Sequence, residues 1–192
     1  MRTAFCRVLV KFFLSFLYLA LCVVLCYTAC IIQKEVISMP VCPTQLKDAY
    51  IIHAITQETI SAIYPRYYPK GAVDFFLQHH NLSAIERDIR SGCVFLAVNE
   101  AGTAVGTVTI REDEILRLFV LPEYQGMGYG KMLLDFAEEK VTQQFDTVIV
   151  DASLPAKSLY LKRGYREKDY HQIKTENGDY LCYDVMEKSV HP

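Results

Sequence analysis

The segment that most restricts the fold of this chain spans residues 118–131 and reads LFVLPEYQGMGYGK. An apolar run that suits a β-strand leads into Pro122, and three alternating glycines then open a helix. Glycine tolerates a positive φ and lets the backbone come close to a ligand. The first turn of a helix presents unpaired N–H groups and a partial positive charge, which suit a phosphate or pyrophosphate. The segment therefore predicts an anion-binding cradle in the backbone from Gln125 to Gly130.

The spacing of these glycines fits two common nucleotide-binding loops poorly. A P-loop has the pattern G-x-x-x-x-G-K-[ST], but the interval from Gly126 to Gly130 is one residue too short and Met132 follows Lys131. The dinucleotide-binding pattern G-x-G-x-x-G is also absent, because the glycines here alternate strictly. Neither loop therefore identifies the anion.

A second segment, residues 156–165, reads AKSLYLKRGY and follows the cradle after one predicted strand. The cradle itself has the pattern V-x-P-x-x-Q-G-x-G-x-G over residues 120–130. In this order, the two resemble the acyl-CoA signature and the later A-x-x-(F/L)-Y-x-x-x-G-(F/Y) segment of the GNAT superfamily of N-acetyltransferases. The resemblance covers residues 39–188. It implies an α/β GNAT fold, with a central, mostly antiparallel sheet, splayed middle strands and flanking helices.

The resemblance also implies how acetyl-CoA, the cosubstrate, is held. Backbone N–H groups of the cradle would bind its pyrophosphate, and residues 118–120 would separate from the strand at 148–151 so that the open backbone edge pairs with the pantetheine arm. The N–H of Phe119 or Val120 would polarise the thioester carbonyl. Ser153 stands where the family often has a cofactor-contacting Asn. The residues implied in cofactor binding are Leu118, Phe119, Val120, Gln125, Gly126, Met127, Gly128, Tyr129, Gly130, Lys131 and Ser153.

Catalysis in this family needs an acid and a base. Tyr160 matches the usual general acid, which protonates or hydrogen-bonds the leaving thiolate. A tyrosine keeps its proton at neutral pH, because its unperturbed pKa is near 10. The acceptor amine must lose a proton before it attacks, so a base is required as well. Glu114, at the start of the strand that leads to the cradle, is the first candidate, and Asp151 is the second.

The remaining patterns predict a mixed α/β domain around one central sheet over residues 39–192. Three helices precede three strands joined by tight turns, and a helix, a strand, a helix and two strands follow. Thr44 is expected to cap the first helix, and Ser83 with Glu86 forms a capping-box pattern for the third. Asn177 and Gly178 are typical of the turn between the last two strands.

Residues 1–38 are predicted to be a separate hydrophobic segment. Residues 12–32 contain no charged side chain and are long enough to cross the hydrocarbon core of a bilayer, which predicts a transmembrane anchor. A second interpretation is that translation starts at Met39. Lys34-Glu35-Val36 can be encoded as a purine-rich ribosome-binding sequence a short distance upstream of that codon. The nucleotide sequence decides between the two.

Charge and cysteine content limit the partners. The chain has 20 Lys and Arg against 22 Asp and Glu, a formal net charge of −2, and so lacks the basic surface of a nucleic-acid-binding protein. After residue 38 the three cysteines have no zinc-type spacing, and adjacent His79 and His80 point in different directions on a helix. We therefore expect no metal and a reducing, cytoplasmic location for the catalytic domain, with a membrane anchor if residues 12–32 are translated.

Together these features predict an N-acetyltransferase that moves an acetyl group from acetyl-CoA to a primary amine by direct attack in a ternary complex. The acceptor is a small molecule, a protein N-terminus or a lysine, and the sequence does not choose among them. A homodimer is a further candidate assembly. Two alternatives stay open: a non-catalytic acyl-CoA-binding sensor that keeps the cradle, and a membrane-anchored acyltransferase.

Overall fold

The computed structural model describes residues 41–189, which form a seven-stranded sheet with helices on both faces. The strands are β1 (Val41–Pro43), β2 (Val94–Val98), β3 (Ala104–Arg111), β4 (Glu114–Val120), β5 (Thr147–Ser153), β6 (Arg166–Lys174) and β7 (Tyr180–Ser189). The helices are α1 (Ala49–Ile63), α2 (Lys70–His79), α3 (Leu82–Arg90), α4 (Tyr129–Thr142) and α5 (Leu154–Lys162). Short 3-10 turns occupy Leu46–Asp48, Tyr64–Arg66 and Pro122–Tyr124.

The sheet has the strand order β1-β2-β3-β4-β5-β7-β6, and only its middle pair is parallel. In that pair, Glu114 lies opposite Ile149 and Ile115 lies opposite Val150, and within the described residues the pairing stops there. The two strands therefore separate from Leu116 onward. A parallel pair that parts in this way leaves an open V in the centre of the sheet. The predicted mostly antiparallel sheet with splayed middle strands is confirmed.

Two apolar clusters hold the layers together, one on each face of the sheet. On one face, α4 buries Leu133, Leu134, Ala137 and Val141 against the sheet. On the other, α1 and α3 pack isoleucines against β2 and β4. A helix that presents apolar side chains every three or four residues can bury one continuous stripe in this way. Both faces of the sheet are thus covered, and the V between β4 and β5 is the opening in this arrangement.

Two predicted helix starts are wrong, and each has a local cause. Thr44 does not cap α1, because a 3-10 turn with Gln45 at its N-cap comes first and the helix begins only at Ala49; the Thr44 hydroxyl donates to the carbonyl oxygen of Val94 (3.0 Å). Asn81, rather than Ser83, caps α3: its side-chain oxygen accepts from the N–H of Ala84 (2.9 Å). Asn and Ser are comparably good caps, so the sequence pattern alone placed this boundary two residues late.

The predicted anchor at residues 12–32 and the rest of residues 1–38 lie outside the described residues. From residue 41 to residue 189, the structure has no helix that combines the length and the apolar character needed to cross a bilayer.

Candidate active site

The cradle lies where β4 ends and α4 begins, and two of its glycines have backbone conformations that other residues rarely adopt. Gly126 has a φ of +77° and Gly128 a φ of +93°. Gly128 is the residue before the first turn of α4, and no described side chain caps the helix there. Gly130 has no positive φ, and an added Cβ would only touch the Val120 side chain at 3.9 Å. The first two glycines therefore define the shape of this loop.

The start of α4 supplies N–H groups without an intrahelical acceptor. The first bonded amide of the helix is that of Met132, which donates to the carbonyl oxygen of Gly128 (3.0 Å). The N–H groups that precede it in the first turn have no helical partner, as at any helix start. They carry the positive end of the helix dipole toward an exposed loop, which suits an anion.

Gln125 and Lys131 already have partners within the protein, which the sequence did not reveal. The N–H of Gln125 already donates to the carbonyl oxygen of Pro122 (3.2 Å), and its side-chain amide donates to the carbonyl oxygen of Val120 (2.8 Å). Gln125 therefore shapes the turn rather than offering its own N–H to a ligand. The Lys131 ammonium group forms an ion pair with Asp135 one turn along α4 (2.6 Å).

The register of β4 decides which of its N–H groups faces the V. Leu121 donates to the carbonyl oxygen of Val105 in β3 (2.9 Å), and alternate N–H groups along an antiparallel strand point to opposite sides. The N–H of Phe119 therefore points toward β3, whereas the N–H of Val120 points toward the side that β5 has left open. Of the two residues predicted to polarise a carbonyl, Val120 is the one with the correct orientation.

A cleft of about 400 Å³ opens beside the V on the sheet face that carries α2 and α3. Six of the predicted site residues line it: Glu114, Leu118, Phe119, Asp151, Ser153 and Tyr160. Val120 is buried next to the cradle, and β4 connects the two places. At about 3.3 Å per residue, β4 covers about 20 Å from Glu114 to Val120. Cleft and cradle are thus the two ends of one extended site.

Tyr160 comes from α5 and is buried against Tyr165, with the two rings 5.3 Å apart. Burial raises the pKa of its hydroxyl well above the usual value, and the neighbouring Tyr64 and Glu138 raise it further. The hydroxyl therefore keeps its proton throughout the range in which the protein can work. Because Tyr160 also lines the cleft, it can act there as a hydrogen-bond or proton donor.

The two predicted bases lie close together at the closed end of the V. Glu114 is the first paired residue of β4, and Asp151 is the first residue of β5 beyond the pairing. Partial burial raises the pKa of Glu114, the charge of Asp151 raises it further, and Arg111 opposes both. Partial burial also raises the pKa of Asp151, against a smaller effect of His171. Each carboxylate is thus a better proton acceptor near neutral pH than a free one.

Ser153 makes a contact that motif matching did not predict. Its hydroxyl oxygen accepts a hydrogen bond from the Tyr64 hydroxyl (3.2 Å), so the segment after α1 reaches across the cleft to the end of β5. Tyr68 reinforces the same link, because its hydroxyl accepts from the N–H of Leu154 (2.7 Å) and donates to the carbonyl oxygen of Cys182 (3.0 Å). Apart from tyrosines placed near two prolines, the sequence carries no signal for these long-range bonds.

A buried charge cluster under one wall of the cleft was also missed. Asp88 of α3, only 3% exposed, forms ion pairs with Arg117 (2.5 Å) and Arg111 (2.9 Å). Arg117 also donates to Nδ1 of His80 (3.1 Å). Arg117 has a φ of +42° and lies in a β-bulge, where two residues of β4 oppose one residue of β3. The sequence did contain one signal for this cluster, because Arg117 is a charged residue inside an otherwise apolar strand.

Metal ligation gains no support from this geometry: the described residues contain no group of three or more His, Cys, Asp or Glu side chains that could hold an ion.

Comparison with known proteins agrees with these features. The family model for the acetyltransferase (GNAT) domain matches residues 63–181, more than half of the chain. A GCN5-related N-acetyltransferase from Rhodopseudomonas palustris is 25% identical with a TM-score of 0.72, covering 79% of this chain and 95% of its own. No curated protein matches by sequence.

Two further solved structures share the fold at lower identity. The PaiA N-acetyltransferase from Thermoplasma acidophilum, in complex with coenzyme A, is 19% identical with a TM-score of 0.61, covering 78% of this chain and 98% of its own. A spermidine N-acetyltransferase from Vibrio cholerae is 15% identical with a TM-score of 0.55, covering 78% of this chain and 92% of its own.

Proposed function

The chain belongs to the GNAT family of acetyltransferases, and we propose that it transfers an acetyl group from acetyl-CoA to a primary amine by direct attack in a ternary complex. Acyl transfer from an acyl-CoA is the general activity of this fold. The observation that carries the finer proposal is one continuous path. It leads from an uncapped helix start, along the open edge of β4, to a cleft lined by a tyrosine and two carboxylates.

The residues present fit an acyl-CoA along this path. The N–H groups of Gly126 to Lys131 would hold the pyrophosphate, since Gly126 and Gly128 have no side chain that would keep an anion from the helix start. The open edge of β4 would pair with the pantetheine arm as an added strand would. The N–H of Val120 would donate to the thioester carbonyl oxygen and favour negative charge there in the transition state.

The chain's own groups would then move two protons. Glu114 accepts a proton from the acceptor ammonium group, which leaves a neutral amine that can attack the acyl carbon. The C–N bond forms as the C–S bond breaks, and the acetyl group leaves sulfur for nitrogen. The Tyr160 hydroxyl donates its hydrogen to the departing thiolate. Asp151 lies beside Glu114 and raises its pKa, which tunes the base.

Calorimetry with coenzyme A, followed by thiol release from acetyl-CoA over a panel of amines, tests this proposal. We expect binding in the micromolar range typical of cosubstrates and amine-dependent release. A folded protein that gives no heat with coenzyme A contradicts the proposal at its first step. Binding without turnover of any amine is the result expected of the acyl-CoA sensor. The homodimer and the cytoplasmic location stay predictions.

A further inference from the structure

The cleft carries side chains of both charges where α3 meets the β3–β4 hairpin. Three arginines line it there, Arg87, Arg111 and Arg117, and we name them the cationic wall. Asp88 beneath them is the carboxylate that pairs with both Arg111 and Arg117. Arg111 also lies directly opposite Glu114 across the hairpin, so the cationic wall borders a carboxylate of the cleft.

Arg87 is the uncompensated charge of the cationic wall. It is exposed in the cleft one residue before Asp88 in α3, and among residues 41–189 no carboxylate lies within ion-pair distance of it. Its field reaches the neighbouring imidazole, where it helps to lower the pKa of His79 after burial and Arg117. Burial and Arg117 also lower the pKa of His80, to about 3. Both imidazoles are therefore neutral, and the guanidinium groups determine the charge of this wall.

Two carboxylates line the cleft beside the cationic wall. Glu114 and Asp151 lie at the closed end of the V, and both belong to the lining. Arg111 lowers the pKa of Glu114 and His171 lowers that of Asp151, but burial outweighs both. Phe75 and Phe76 add an apolar surface to the same lining. Within the described part of the chain, the cleft thus offers carboxylates and an unpaired guanidinium group to one ligand.

From this combination of charges we infer that the acceptor is a small zwitterion, with its amine at Glu114 and Asp151 and a carboxylate or phosphate group at Arg87. The inference rests on the proposed function and names the substrate class of the same cleft. Guanidinium groups bind carboxylates and phosphates through paired hydrogen bonds. Such an anion supplies the counter-charge that Arg87 lacks among the described residues and orients the amine toward the base.

The same charges act against a polyamine. Every nitrogen of a polyamine is cationic at neutral pH, so an extended polyamine bound at Glu114 would place a second cation near Arg87. Like charges brought together across a cleft lower affinity and so select between ligands of similar shape. The cationic wall is therefore a specificity-determining surface, and Arg87 is its exposed residue without an ion pair among residues 41–189.

Matched pairs of acceptors that differ by the anionic group test this inference. The pairs are phenylalanine with phenethylamine, lysine with cadaverine, and phosphoethanolamine with ethanolamine. In at least one pair we expect kcat/KM of the anionic member to be about tenfold higher or more, the value of one charge-assisted contact. The first two pairs report on a carboxylate and the third on a phosphate. In Arg87→Gln the preference should fall mainly through a higher KM.

Arg90→Gln is the matched control. Arg90 lies on the same helix, is exposed, and pairs with Glu86 away from the cleft. The control variant should keep the preference. Equal or faster turnover of the cationic member in every pair overturns the inference while it leaves acetyl transfer intact.

Binding separates failure of this inference from failure of the proposed function. In a second experiment, the protein is saturated with coenzyme A and titrated with both members of each pair. Calorimetry then measures binding of the acceptor in the absence of acetyl transfer. Binding of the anionic member alone, lost in Arg87→Gln and kept in Arg90→Gln, supports the inference even if no acceptor turns over. Binding of both members alike, or of neither in any pair, overturns it.

Discussion

The cradle and the cationic wall lie at opposite ends of one site and are built in different ways. The cradle is made of main-chain groups from consecutive residues, with its shape set by two glycines of positive φ. The cationic wall is made of side chains from α3, β3 and β4, held in place by one buried carboxylate. A main-chain site depends on local conformation, whereas a side-chain site depends on contacts between distant segments. The first suits a cosubstrate common to a family, and the second suits an acceptor that differs between members.

The largest effect is expected from Gly128→Val, which breaks the cradle and spares the cleft. A β-branched residue at a φ of +93° is strained by about 1–3 kcal/mol, and its side chain would occupy the place where an anion meets the N–H groups. We expect calorimetry to detect no coenzyme A binding.

Gly102→Val is the control for that variant. Gly102 has a φ of +78° in the turn between β2 and β3, and like Gly128 it has no described atom within 4 Å of an added Cβ. The two substitutions should lower stability similarly, but only the first should abolish binding. Loss of binding in both would mean that the cradle has no special role.

Tyr160→Phe should spare the cradle and slow the chemistry. Removing a general acid costs about 10²–10⁴-fold in rate, and the aromatic ring that packs against Tyr165 is kept. We expect kcat to fall within that range while coenzyme A affinity changes little. Tyr170→Phe on exposed β6 should leave both unchanged. An unaltered kcat in Tyr160→Phe removes this residue from the mechanism.

Asp88→Asn should damage the cationic wall and the fold around it. The change leaves the buried Arg117, only 7% exposed, without its counter-charge, and breaking a buried pair costs about 3–5 kcal/mol. Urea unfolding measures this loss. Glu86→Gln, in the exposed pair with Arg90 and two residues from Asp88 on α3, should change stability by less than about 1 kcal/mol. Similar losses in both variants would show that the buried cluster contributes nothing special.

The smallest effect concerns the pH dependence that Glu114 gives to the cleft. Because burial and Asp151 raise the pKa of Glu114, the base becomes protonated at a higher pH than a free carboxylate. The acidic limb of kcat/KM should therefore lie above the ordinary Glu range, with activity lost as the pH falls through it. Glu114→Gln should lower kcat/KM and remove that limb. If the acidic limb of kcat/KM stays at the same pH in Glu114→Gln, Asp151 is the base instead.

Local and non-local features differed in how well the sequence revealed them. The strand–glycine–helix segment and the spacing from Tyr160 to Gly164 could be read directly, because each is a short run whose conformation depends on its own residues. The helix starts at Thr44 and Ser83 were misplaced, because a 3-10 turn precedes α1 and because Asn81 accepts the capping hydrogen bond of α3. The link from Tyr64 to Ser153 joins residues 89 positions apart, and no local pattern encodes it.

By itself, the sequence determined the order of the elements and the position of the glycine loop before α4, whereas the anion-binding role of that loop and the roles of acid and base stay predictions. Glycine spacing and apolar periodicity are local properties, and they act through backbone conformation before any long-range contact forms. Only the tertiary structure decided that β4 parts from β5 after Ile115, that the Val120 N–H faces the gap, and that two arginines share Asp88. Strand register and the burial of charge depend on segments that meet only in the folded chain.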